Sequence, residues 1–397
     1  MFETLPKAEP DAILALMARF REDPRTDKID LGVGVYRDET GATPIFRAVQ
    51  AAEERLVAAQ TTKTYVGLPG DLEFCRLLGE ELLGEPLASE SAMVQAAGGS
   101  GALYILAAFM RRAAPQTRVW LPTPTWPNHP NLFRGAGLAL GDYPWLDRAG
   151  RALDFAAAAE ALEKLGPGDA VLLHACCHNP TGVDPSPEQW AEIGAIAARR
   201  GWLPVFDMAY AGFGDDWERD CAGMRTVISM VPEALMGASC SKNFGLYRER
   251  AGAVYAHAAD PARRQAAQDG LEAVTRMVYS MPPDHGGALV RAVLEDAALA
   301  ADWRAELTTM RDRINLNRRA LAEALAARPG GQGWGFVAEQ RGIFSLLGLD
   351  RAQVDRLREV HGVYAVAGGR INVAGMRAED ADRVAAALLD VAGAPAG

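Results

Sequence analysis

A lysine set among small and hydroxyl residues, with an arginine eight positions downstream, is the combination in this chain best suited to covalent chemistry. Residues 237–250 read GASCSKNFGLYRER, so Lys242 follows Ser239, Cys240 and Ser241 and precedes Arg250. An arginine presents a planar fork of donors that fits a phosphate in two-point contact, and a lysine amine condenses with an aldehyde. Together they offer what pyridoxal phosphate needs, an amine for a Schiff base and a cation for the phosphate. A solvated surface lysine is the other reading of the same residue, since that is where most lysines lie. Partners elsewhere in the sequence decide between the two.

Those partners sit where strands end. Residues 234–238 form a short apolar run and 251–256 (AGAVYA) resume one, which puts Lys242 on a loop between two strands. The run 203–206 (LPVF) reads as a buried strand that delivers Asp207 and, three residues on, Tyr210. A carboxylate straight after an apolar strand must cap the next turn or meet a cation, and with pyridoxal phosphate the cation is the protonated pyridine nitrogen. Residues 171–175 (VLLHA) lead into CCHNPTG and Asn179; the helix that follows is marked by Ser186 as N-cap, Pro187 at its first position, Gln189 closing a capping box and Gly201 after its end. Residues 118–121 predict a strand before the proline-braced loop PTPTWPNHP, where Trp126 either covers a flat ring or fills core. The stretch 94–101 (VQAAGGSG) opens a helix, and a Gly-rich helix N-terminus is an anion site to which Ser100 adds a hydroxyl; a plain strand-to-helix turn is the alternative.

Alternation of strand and helix predicts a doubly wound, mostly parallel sheet with ligands beyond the strand carboxyl ends, where Asn179, Asp207 and Lys242 all fall. An amphipathic helix over 11–20 opens the chain and reads as structural rather than catalytic. In the following IDLGVGVYRDETGATP, Gly32 and Gly34 alternate with aliphatics, which predicts extended backbone passing close to something; GxGxxG opening a helix, the mark of a dinucleotide site, is missing. Tyr65 lies in the turn-rich loop TKTYVGLPG, and Arg276 and Ser280 precede a double proline in TRMVYSMPPDHGG. A long helix over 301–327 predicts a connector between two lobes, and the remainder alternates GIFSLLG, a helix over 352–360, VYAVA, GGRINVAG and a closing helix from Glu379. Arg370, inside that last apolar strand, requires an anionic partner.

Composition bounds the rest. The 397 residues exceed one ordinary core, 49% are apolar and 23% charged, and no segment approaches a membrane span. Residues 1–10 lack the pattern of a signal peptide, so the expectation is a cytoplasmic protein. Five cysteines without a CxxC pair argue against a disulfide framework and a zinc site, and Cys240 reads as small buried filler. A net charge of −10 with no basic block leaves no footprint for nucleic acid, so small anionic substrates must be caught by local arginines.

With these pieces placed, the chain closely resembles the aspartate and aromatic-amino-acid aminotransferases, a branch of the fold-type-I pyridoxal-phosphate enzymes. The resemblance rests on IDLGVGVYRDETG, TKTYVGLPG, GGSGAL, PTWPNH, CHNPTG, FDMAYAGF, SCSKNFGLYRER, YSMPPDHG and GGRINVAG, in family order nearly end to end. It implies a large domain around a mixed, mainly parallel seven-stranded sheet at 44–310, with a small α/β domain from 1–43 and 311–397. Lys242 would hold the cofactor and then shuttle the substrate proton; Asp207 would pair with the ring nitrogen, with His178 supporting it from behind unless that histidine is simply satisfied in the core. Tyr210 and Asn179 would bond the ring oxygen, and Trp126 would stack on the ring. Gly99, Ser100, Ser239 and Arg250 would bind the phosphate, joined by Tyr65 of a neighbouring subunit. Arg370, helped by the backbone at Gly34, would clamp the substrate α-carboxylate, and Arg276 from the neighbour would meet a side-chain carboxylate. The active unit would be a homodimer with shared sites, working on amino acids and 2-oxo acids in two stages through the pyridoxamine phosphate form.

Two other classes compete with transamination. A ligand sensor on the same scaffold needs a DNA-binding segment ahead of it, whereas the match begins near Met1. A decarboxylase should not clamp the carboxylate that it expels between arginines. Within transamination, Ser100 and Met281 stand where aspartate-restricted enzymes tend to carry threonine and asparagine, and favour a roomier, less polar pocket. Val35 and Thr43 match the aspartate enzymes, so dual aromatic and dicarboxylic specificity is favoured, with an aspartate-restricted enzyme as the alternative.

Overall fold

The computed structural model describes residues 2–4, 12–147, 149 and 151–393. Its strands are β1 Ile29–Asp30, β2 Ser91–Ala97, β3 Arg118–Thr123, β4 Ala139–Pro144, β5 Asp169–His174, β6 Leu203–Met208, β7 Glu233–Ser239, β8 Ala251–Ala258, β9 Phe344–Leu346, β10 Val363–Tyr364 and β11 Arg370–Asn372. Strands β2 to β8 form one sheet in the order β2-β8-β7-β6-β5-β3-β4. The pairs from β4 through β7 are parallel, while β8 runs antiparallel to both β2 and β7. The mostly parallel sheet matches what the strand–helix alternation predicts, and its seven strands and mixed character match what the resemblance implies.

Apolar residues on both strand faces explain why helices must cover the sheet on two sides. Val205 and Phe206, adjacent in β6, join opposite core clusters: Val205 packs with Val94, Leu106 and Val254, and Phe206 with Phe74, Trp190 and Met236. Every residue of β8 is buried. Burying one Val- or Phe-sized side chain is worth about 1.5–3 kcal/mol, so a strand buried on both faces has little freedom to shift register. The helix Pro187–Arg200 forms with both bonds of its capping box made at Ser186 and Gln189, and Gly201 ends it at φ 77°.

A second core gathers Ile29, Leu321, Val337, Leu357, Ile371 and Leu388, drawn from both ends of the chain. The two cores are joined by the helix Ala297–Ala326, which gives Trp303, Leu307 and Ile314 to the first and Leu321 and Leu325 to the second. Thirty residues span about 45 Å, longer than one core, so position 310, taken as a boundary from sequence, lies inside an unbroken helix. That helix starts earlier than its periodicity predicts because Asp296 caps it, accepting from the N–H groups of Ala298 and Leu299. The opening helix runs Ala12–Glu22; Asp11, its expected first residue, lies outside the described residues. Among the described residues no helix is long and apolar enough to cross a membrane.

Candidate active site

The carboxyl ends of β5, β6 and β7 open on a cavity of about 240 Å³. Lys242, in the turn after β7, and Asp207, near the end of β6, line it together with Asn179, Tyr210 and Trp126. Gly99, Ser100, Ser239 and Arg250 line one part of the wall, and Arg370 and Gly34 another. Residues from seven separate stretches of sequence therefore meet in one place.

Lys242 keeps part of its surface open to the cavity but lies deep enough that burial, reinforced by the charge of Arg250, holds its amine pKa below the usual lysine range; Asp207 pulls the other way. A lowered pKa leaves more of the amine neutral and nucleophilic. Its Nζ lies 5.1 Å from the centre of the Tyr210 ring. Burial would raise the Asp207 carboxyl, but a hydrogen bond from His129, with the charge of Lys242 nearby, brings it below the ordinary carboxylate value. Asp207 is thus a permanent anion facing the cavity. Burial, with the Asp207 charge behind it, raises the Tyr210 phenol, so this hydroxyl keeps its proton and can donate it in a hydrogen bond.

A one-way chain of hydrogen bonds orients Asp207. The Asn179 N–H donates to His174 Nδ1 at 3.4 Å, which leaves the His174 proton on Nε2 for Thr125 Oγ1 at 3.0 Å. The Thr125 hydroxyl then donates to His129 Nδ1 at 2.8 Å, and His129 Nε2 donates to Asp207 Oδ2 at 3.1 Å. Burial first, and the neighbouring His129 second, push the His174 pKa down to about 3, in keeping with a neutral ring.

The wall near Arg250 is built for an anion. The helix Gly98–Ala113 begins at Gly98 with no side-chain cap, which leaves its first N–H groups free, and a Cβ on Gly98 would lie 2.6 Å from Arg250 Nη2. Arg250 Nη1 is held by the Tyr247 carbonyl at 3.0 Å and Ser241 Oγ at 3.4 Å. Opposite, Arg370 is 4% exposed, donates Nη2 to the Gly32 carbonyl at 2.9 Å, and lies 4.3 Å over the Phe344 ring. It makes no ion pair among the described residues, and its Nε is buried without a partner, as is Asn179 Oδ1. The donor set fits pyridoxal phosphate: an anion that would pair with a protonated ring nitrogen, a neutral phenol and an amide that would bond a ring oxygen, an amine for the aldehyde and a cradle for the phosphate.

Three residues singled out from sequence stand elsewhere. His178 does not support Asp207; its ring stacks on Trp145 at 4.7 Å and bonds Thr181 at 2.9 Å, so it is a core histidine, and His129 supports Asp207 instead. The reason is positional, because His178 lies past the end of β5 with its ring between those of Trp145 and His174 (4.7 and 4.0 Å) and does not line the cavity, while His129 opens the helix His129–Gly135 beside Trp126. His129 stood inside the quoted PTWPNH, but a contact across 78 residues leaves no local signal. Tyr65 is 90% exposed and Arg276 is exposed at the end of the helix Pro261–Val278; neither lines this chain's cavity. Sequence reading also passed over Phe344, Tyr247 and Ile13, which line it. Ile13 sits on the opening helix, whose apolar stripe does not distinguish core from cavity wall. A Cβ on Gly34 would lie 2.8 Å from Phe344 Cζ, which is the close approach that its glycine predicts.

Known proteins carry the same pattern over the whole chain. A family model described as aminotransferase class I and II matches residues 26–388. A tyrosine aminotransferase of Rhizobium meliloti (strain 1021) is 49% identical over 97% of this chain and 98% of its own, and an aspartate aminotransferase of Salmonella typhi is 43% identical over 98% and 100%. The solved structure of an aromatic-amino-acid aminotransferase from Burkholderia pseudomallei, covalently bound to pyridoxal phosphate, superposes with a TM-score of 0.95 at 40% identity, covering 98% of this chain and 99% of that one. Matching at this length, with a cavity whose lysine, aspartate and arginines suit that cofactor, leaves one assignment: the chain belongs to the class I and II aminotransferases, a pyridoxal-phosphate-dependent family of enzymes.

Proposed function

We propose that this enzyme is an aminotransferase of dual specificity, exchanging amino groups between aromatic or dicarboxylic L-amino acids and 2-oxoglutarate in a ping-pong reaction. The observation that carries the reading is Arg370, a buried cation without an ionic partner among the described residues, on the same cavity as Lys242 and Asp207. A substrate α-carboxylate completes it, and a bidentate Arg–carboxylate pair fixes the substrate's orientation. Pyridoxal phosphate, when bound, supplies the aldehyde that takes up the amino group and a ring that accepts electrons from Cα. Lys242 Nζ holds that cofactor and, once released, moves the proton at Cα; Asp207, fixed by His129, holds a proton on the ring nitrogen. Tyr210 and Asn179 donate to the ring oxygen, Trp126 covers the ring, and Arg250, Ser239, Ser100 and Gly99 hold the phosphate. Relatives named for tyrosine and for aspartate both support the double range.

The working unit in this reading is a homodimer, with Tyr65 and Arg276 of each subunit serving the other's cavity. Their exposure here, beside the exposed apolar residues Val66 and Met277, supports it. A large domain over 44–310 and a small one from 1–43 and 311–397 are the domains of this reading, and the buried, unpaired state of all five cysteines suits a cytoplasmic setting. Adding phenylalanine, then aspartate, to separate samples of the holoenzyme should convert the cofactor's absorbance to that of pyridoxamine phosphate in both, and 2-oxoglutarate should restore it. Conversion by neither amino acid would refute the reading, and conversion by aspartate alone would refute its dual part.

A further inference from the structure

We propose that Arg318, outside the cavity, is a positioning residue for the substrate carboxylate, because its guanidinium fixes the strand that backs Arg370. The proposal rests on the reading of Arg370 as the carboxylate clamp. Arg318 lies on the helix Ala297–Ala326, is 2% exposed, and makes no ion pair among the described residues. A buried cation without a counter-ion is costly, and burial pulls its pKa down to about 10. Its hydrogen bonds all go to one short segment. Nη1 donates to the Val337 carbonyl at 3.2 Å and to Ser345 Oγ at 2.5 Å, and Nη2 to the Gly342 carbonyl at 2.6 Å and the Phe344 carbonyl at 3.0 Å.

That segment bears on the clamp in three ways. Strand β9 pairs antiparallel with β11, setting Leu346 opposite Arg370 and Phe344 opposite Asn372. The Phe344 ring lies 4.3 Å beneath the Arg370 guanidinium and presses on the backbone at Gly34. The Phe344 carbonyl held by Arg318 is also the atom that a Cβ on Gly182 would meet at 2.7 Å, so β9 packs closely against the loop that carries Asn179, and the Arg341 N–H, in the segment held by Arg318, donates to the Gly182 carbonyl at 2.7 Å. A planar fork reaches acceptors on both sides of its axis at once; a lysine keeps the charge but not the reach. Loosening β9 therefore displaces Arg370 relative to Asn179, and a misplacement near 1 Å in such a site costs up to about 100-fold.

The test titrates the holoenzyme with 3-phenylpropionate, which has one carboxylate and no amine and so reports on the clamp without reacting. Arg370→Lys alone should raise its Kd about 100-fold; no change there would sink the clamp reading, and this proposal with it, while Arg318 is still intact. Arg318→Lys should raise Kd about tenfold in the wild-type background and less than about twofold in the Arg370→Lys background, with pyridoxal phosphate affinity unchanged. Losses that multiply in the double variant, an unchanged Kd in Arg318→Lys, or a parallel loss of cofactor affinity would each overturn the positioning role. If Arg318→Lys fails to fold, Ser345→Ala removes a single acceptor: a rise of about threefold, again absent beside Arg370→Lys, supports the proposal, and an unchanged Kd overturns it.

Discussion

A lysine becomes a nucleophile at neutral pH only when its surroundings disfavour the ammonium form, and Lys242 has burial and Arg250 on that side against Asp207 on the other. Replacing it with alanine removes both the covalent anchor and the proton carrier but leaves the core intact, since its turn is braced by Trp303, whose Nε1 donates to the Asn243 carbonyl at 2.7 Å. Lys242→Ala should lower kcat/KM by at least about 1,000-fold while the unfolding midpoint stays close to wild type. Retention of a tenth of the activity would remove Lys242 from the mechanism. The histidines behind Asp207 make a second residue-scale prediction. His174 has its pKa lowered on folding from 6.5 to about 3, so between those values the unfolded chain binds a proton that the folded chain does not. Its contribution to stability is complete above 6.5 and is lost as pH falls toward 3, with a limiting slope of about 1.4 kcal/mol per pH unit. Denaturant unfolding from pH 7 to 4 should therefore show a shallower loss in His174→Gln than in wild type, and equal slopes would refute the shift.

At the scale of elements, the site depends on how closely two segments distant in sequence can approach. Gly34 lies at the centre of a tight turn after β1, where the Val35 N–H donates to the Val33 carbonyl at 3.0 Å, and Phe344 opens β9; a methyl group at Gly34 would overlap the ring that lies under Arg370. Gly34→Ala should therefore raise KM for aspartate and phenylalanine alike, by about tenfold or more, with a much smaller effect on kcat at saturation. A change confined to one substrate class would mean that the methyl touches a side-chain subsite instead. Such contacts also mark the limit of what the sequence discloses. The helix Pro187–Arg200 was legible in full because Ser186, Pro187, Gln189 and Gly201 are local signals, and the strands delivering Asp207 and Lys242 were legible as apolar runs. Motif order assembled the cavity residues, because strand ends in a parallel sheet converge on one edge. His129, Phe344 and Arg318 were not legible, since each acts through a partner far along the chain. In RDRINLNRR a buried Arg318 looks no different from the arginines around it, of which Arg311 and Arg313 reach the surface.

Across the whole molecule, the proposed dimer places Tyr65 and Arg276 at a second copy's cavity, and complementation tests that directly. Lys242→Ala and Arg276→Ala homodimers should each be impaired with aspartate; a hybrid dimer gathers both lesions into one cavity and leaves the other whole. Mixing refolded chains should then restore up to about a quarter of the wild-type aspartate activity, since half of a random mixture is hybrid and each hybrid has one intact site. Activity no greater than that of the Arg276→Ala share alone would place Arg276 in its own subunit's site.

Substrate range follows from the same geometry. Arg276 is a planar cation on a long stem at an exposed helix end, free to pair with a dicarboxylic side chain or to turn aside and leave room for a ring. Met281 lies close by in sequence, and its sulfur accepts the Val66 N–H at 3.1 Å, so an apolar, adaptable side chain ties the Tyr65 loop to the turn after Arg276. Arg370, as the proposed clamp for the α-carboxylate common to both classes, would set no preference. Arg276→Ala should accordingly lower kcat/KM for aspartate and glutamate by about 100-fold or more, the loss expected when a charged contact to substrate is removed, and change the values for phenylalanine and tyrosine by less than about fivefold. Steady-state kinetics with all four amino acids on both proteins decides the matter. An equal loss for both classes would assign Arg276 to general architecture, and a wild-type aromatic efficiency about 1,000-fold below that for aspartate, a gap near 4 kcal/mol in transition-state binding, would leave an aspartate-restricted enzyme.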